Sequence, residues 1–146
     1  MDERKKNEAK IRKINTFANG LCLFTFQWQN CSLFVGNIQA STATSKFTSV
    51  ASISGSFWYD GFVEWLKEQD LHAERYFLSL GDKEPKAKNE RLATVGTCTE
   101  AVLQIIKDND KEVTFVTDEG NHFEFFRERL EKALTACLGI VNEEAE

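Results

Sequence analysis

The sequence contains a single proline, two histidines, eight scattered glycines and no apolar run near the roughly 20 residues that a membrane-crossing helix requires. Each scarcity excludes something. The start, MDERKKNEAKIRKI, is charged where a signal peptide would carry an apolar run, so the chain is expected to be soluble, intracellular and free of membrane contact. Neither GxGxxG nor GxxxxGK[ST] occurs, which removes the glycine-rich phosphate loops and makes a nucleotide enzyme an unexpected outcome. His72 and His122 each begin a regular element without a second His or Cys at ligand spacing. Both are expected to cap or to sit at the surface rather than to bind a metal or catalyse.

Cys22, Cys31, Cys98 and Cys137 form no CxxC pair, and each lies among apolar residues. They are expected to be separate, reduced, buried thiols of a cytoplasmic protein. The stretch DNDKEVTFVTDE superficially follows a calcium loop, but Val113 stands where that loop needs glycine. No GxSxG elbow is present, and two histidines leave a nucleophilic triad few ways to assemble. Asp60 and Glu64, one helical turn apart, have the chemistry for acid–base work in a cleft, yet on the polar side of a helix they are expected to be solvated. No cofactor, no metal and no enzymatic activity are therefore expected.

The 146 residues, 42% hydrophobic and 28% charged, suit one globular domain. We place it at residues 15–141, after a charged arm over 1–14 and before an acidic tail over 142–146. The net charge of −5 argues against broad attraction to nucleic acid, although residues 1–13 are basic. Along the chain, LCLFTFQW (21–28) alternates, with Cys22, Phe24, Phe26 and Trp28 on one face, and CSLFVGNI (31–38) follows across Gln29-Asn30 as a hairpin. QASTATSK reads as a loop and FTSVASIS (47–54) as a third strand.

Only 12% of residues are aromatic, yet SFWYDGFVEW (56–65) holds five rings. On a helix starting after Ser56, Trp65, Trp58, Phe62, Leu66, Tyr59 and Val63 share one arc, opposite Asp60, Glu64, Lys67 and Glu68. This predicts an amphipathic helix over about 57–70 whose rings are core, leaving only Phe57 on the charged side. AERYFLSL (73–80) and LATVGTC (92–98) read as strands on either side of a charged loop, GDKEPKAKNER. EAVLQIIK and KEVTFVTD read as a strand pair around Asp108-Asn109-Asp110, with Thr99-Glu100 as an alternative helix start. From Asn121 to Leu138 a last helix lines up Phe123, Phe126, Leu130, Ala133, Leu134, Cys137 and Leu138, with Gly139 as its stop and Phe125 off the stripe.

The expected fold is α+β: an antiparallel sheet of six to seven strands, in the order three strands, helix, four strands, helix, with both helices packed on the sheet. With no catalytic constellation, surface chemistry decides the expected function. Trp28, Phe57 and Phe125 are candidate exposed rings, and Asp60 and Glu64 candidate acidic contacts, for a protein partner. This fits a non-enzymatic interaction module, an inhibitor or immunity-type protein whose acidic surface meets a basic target, and it leaves room for a homodimer. The order strands-helix-strands-helix resembles that of the Whirly and PUR-type single-stranded nucleic-acid binders, which implies base stacking on exposed aromatics of the sheet. A cup-shaped small-ligand domain is a further alternative.

Overall fold

The computed structural model describes residues 14–18, 21–28, 31–36 and 38–138, with side chains described within these segments from Ser32 onward. Six strands form one sheet in sequential order: β1 (Ile14–Ala18), β2 (Leu21–Trp28), β3 (Cys31–Val35), β4 (Ser49–Ile53), β5 (Arg75–Gly81) and β6 (Glu112–Asp118). β1, β2 and β3 pair antiparallel, whereas β3, β4, β5 and β6 run parallel. The expected antiparallel α+β sheet is thus corrected to an α/β fold built on four parallel strands.

The cause lies between the parallel strands. Parallel neighbours need a crossover, usually helical, and this chain supplies one each time. A short helix α1 (Ala40–Ala43) precedes β4, α2 (Phe62–Lys67) precedes β5, and α3 (Glu90–Ala93) with α4 (Val95–Asp108) precedes β6. The predicted strands over 92–98 and 100–107 are therefore helical. Thr94, Thr97 and Thr99 suggest strand by composition, but Val95, Thr99, Val102 and Ile106 recur at helical spacing and, with Ile105, are the residues that α4 buries. Asn89 starts this region, its side-chain oxygen accepting from the N–H groups of Arg91 and Leu92. Without strands there, the element order that resembled the Whirly and PUR-type binders is not observed.

Two other predicted helices are shorter than expected. Gly61, at φ 74°, sits in the left-handed region just before α2, so Phe57 to Asp60 form turns and not a helical arc. The last helix, α5 (Phe126–Leu138), begins after Phe125, whose φ of 58° interrupts the turns from His122 onward.

Both faces of the parallel strands are covered, which is why β5 is apolar without alternation. On one face Val50, Tyr76 and Leu78 pack with Phe57, Leu66, Val102, Ile105 and Ile106 from the α2 and α4 side. On the other, Leu33, Val35, Ala51 and Phe77 pack with Ala133, Cys137 and Leu138 of α5. Cys98, on α4, and Cys137 lie on opposite sides of the sheet, so they cannot bridge each other; the side chains of Cys22 and Cys31 lie outside the described residues. Among the described residues no helix is long and apolar enough to cross a membrane.

Candidate functional site

In open parallel α/β sheets, ligands bind outside the carboxyl ends of the strands, where successive connections leave toward opposite faces. Here the segment after β5 returns through α4 on one face, while the segment after β6 turns to α5 on the other. The divergence lies between the ends of β5 and β6, and a charged cluster fills it. Arg129 of α5 is 1% exposed; its Nε donates to Asp118 Oδ2 at 3.2 Å and its Nη2 to Ser79 Oγ at 3.1 Å. The same Nη2 lies 3.7 Å from Glu84 Oε1. Lys132, half exposed, reaches Asp118 Oδ1 from the solvent side.

Glu84 closes the cluster from the turn after β5. Its Oε1 accepts from Ser54 Oγ and, at 2.8 Å, from the Gly81 N–H, and its Oε2 lies 3.2 Å from His122 Nδ1. Burial alone would raise the Glu84 carboxyl. The hydrogen bonds from His122, Ser54 and the Gly81 N–H, with the charge of His122, outweigh it and hold the group below its ordinary 4.5. Ser54, directly after β4, has φ 53°, an uncommon conformation for serine. The loops also meet directly: Asp82 N–H donates to Asp118 O at 2.8 Å, and a Cβ at Gly81 would lie 2.4 Å from Gly120 O. The buried charges of this half of the carboxyl edge are therefore partnered by neighbouring side chains and backbone. Beside it runs a shallow cleft of about 130 Å³ lined by Asp118, Glu119, Phe125, Glu128, Arg129 and Lys132.

Beyond β4 the same edge is open. The turn over 57–61 sends Phe57 inward, 2% exposed and stacked on Phe62 at 5.6 Å, and sends Tyr59 outward, 64% exposed. Trp58 stands beside Tyr59 with ring centroids 6.2 Å apart, and the Arg91 guanidinium lies over both rings, at 5.3 and 6.0 Å. Arg91 also pairs with Asp60 at 2.9 Å. Lys83, Lys86 and Lys88 are exposed on the same connection, so its outer surface is basic although the whole chain is acidic.

The five residues singled out from the sequence do not form one site. Phe57 is core. Asp60 belongs to the Arg91 pair, Glu64 is exposed on α2, and Phe125 is 51% exposed at the start of α5 beside Phe123, which is 86% exposed. Trp28 ends β2, and its side chain lies outside the described residues. Sequence reasoning missed Arg129, Glu84 and Asp118, leaving the first off the apolar stripe of the last helix and the second in a charged loop. A signal for Arg129 was present: it stands four residues before Ala133 and eight before Cys137, on the stripe that α5 buries. Among the described residues no group of three or more His, Cys, Asp or Glu side chains is arranged to hold a metal ion. No family model matches this chain, and no curated protein or solved structure matches it either.

Proposed function

We propose that this is a small-ligand-binding α/β domain whose site lies at the open part of the carboxyl edge and takes a planar aromatic molecule carrying negative charge. One observation carries the reading: in the turn after a parallel strand Tyr59 stands exposed and Trp58 half-buried, both under the guanidinium of Arg91, whose own connection also carries three exposed lysines. Flat rings offer a stacking surface, and Arg91 with the lysines attracts an anion without a glycine-rich loop. The reading assigns binding and no reaction. A half-buried, unbridged Cys98 supports a reducing, cytoplasmic setting.

The test is a titration followed by tryptophan fluorescence, using a panel of mononucleotides with adenine, guanine, pyrimidine and flavin rings. At least one should bind, and Tyr59→Ala and Arg91→Ala should each weaken it about tenfold, the size of one stacking contact. Binding that ignores both variants, or no binding by any member at millimolar concentration, overturns the reading.

A second reading, the protein-interaction module of inhibitor or immunity type, is favoured by Phe123 and Phe125, which project from the turn before α5. It expects a protein partner captured by the intact chain and lost with Phe123→Ala and Phe125→Ala, while nucleotide binding stays unchanged.

A further inference from the structure

β6 is the last strand of the sheet, and among the described residues nothing pairs with its outer side. Its seven residues, EVTFVTD, carry no proline, no lysine and no bulge, the usual devices that protect a sheet edge. The direction of its free groups follows from one bond. Glu112 N–H donates to Glu74 O at 3.1 Å, so Glu112, Thr114, Val116 and Asp118 turn their backbone groups toward β5. Val113, Phe115 and Thr117 consequently turn three N–H and three C=O groups outward.

We infer that this edge joins a second copy of the chain, the two β6 strands running antiparallel about a two-fold axis at Phe115. That register places Phe115 opposite Phe115 and Val113 opposite Thr117. All are outward-turned positions, so each forms a hydrogen-bonded pair, and the six free groups of one strand meet the six of the other. Phe115, 39% exposed, gains its counterpart's ring. Lys111 comes opposite Glu119, an attractive pair made twice by the symmetry. Glu112 comes opposite Asp118, but each is already neutralised within its own chain, by Arg75 at 3.4 Å and by Arg129 and Lys132. Two six-stranded sheets thereby become one continuous sheet. This inference is independent of the ligand reading, whose residues lie beyond β4.

The experiment has two parts. Light scattering across a concentration series should show a dimer, and Lys111→Glu, which sets like charges opposite each other, should weaken it several-fold; adding Glu119→Lys in the same chain should restore it. Register is read by cross-linking. Phe115→Cys should form an intermolecular disulfide under mild oxidation, because Cα atoms of a hydrogen-bonded antiparallel pair lie about 5.5 Å apart, within disulfide reach. Thr114→Cys, which faces Val116 of the other copy, should cross-link far less. Near-ultraviolet circular dichroism confirms that each variant is folded. A monomer at every concentration overturns the proposal, as does a dimer indifferent to the charge reversal or cross-linked equally from both positions.

Discussion

Over β5 and β6 the carboxyl edge is closely packed: Arg129, Glu84, Asp118, Ser54 and Ser79 are buried and bond one another, and the two loops touch through Gly81 and Gly120. Over β4 the same edge presents Tyr59 and Arg91 to solvent beside the half-buried Trp58, with one exposed ion pair among them. Both regions combine charge with strained or glycine-dependent turns, yet they do opposite things. A buried charge that is partnered locks two loops together, whereas a solvent-facing ring beside a cation leaves its outer face uncovered. The difference warns against taking the most charged cluster of a fold as its functional site.

The comparison breaks most visibly at Arg129. Arg129→Ala leaves the carboxylates of Asp118 and Glu84 buried with reduced compensation, and it should lower unfolding stability by about 3–5 kcal/mol in a denaturant titration. A loss under 1 kcal/mol would mean that the cluster is hydrated and open like the other half. Glu84 sharpens the same point through pH. Its folded carboxyl titrates below its unfolded value, so it adds stability that is present above about pH 4.5 and lost as pH falls through the lower folded value. Glu84→Gln should therefore be less stable than the parent near neutrality, by about 1–3 kcal/mol, and show a shallower decline on acidification. Parallel acid limbs would contradict the bonding described for this carboxylate. The smallest effect belongs to the open half: Tyr59→Ala should change stability by no more than about 0.5 kcal/mol, as expected of a solvent-facing side chain.

How much of this was legible follows particular residues. The hairpin of β2 and β3 and the strands β4, β5 and β6 announced themselves, because alternation or an apolar run bounded by turn residues has few other meanings. The sheet's direction did not. With 92–98 and 100–107 read as strands, β5 and β6 had no helical crossover between them; read as helix, the same residues allow parallel pairing. The threonines weighed toward strand, and the helical spacing of Val95, Thr99 and Val102 weighed more. Likewise Asp60-Gly61 is a turn dipeptide inside what looked like a helical arc of rings, and it is this turn that exposes Tyr59. The Arg129 cluster was hidden for a different reason: its partners come from 54, 79, 84 and 118, and only the sheet's order brings those positions together.

β5 has a consequence for the chain before it folds. From Tyr76 to Leu80 it carries no charge and no proline, and in the native state every one of these residues is buried between two layers of helix. A segment suited to the centre of the sheet is thus also a sticky segment of a nascent or heat-damaged chain, and its parallel partners arrive only after long connections have closed. Glu74 and Arg75 on one side and Asp82, Lys83 and Glu84 on the other act as gatekeepers, interrupting any stack of identical strands with charge. Neutralising the exposed Glu74 and Lys83 should leave the native fold intact while raising the fraction of protein lost to aggregation during refolding.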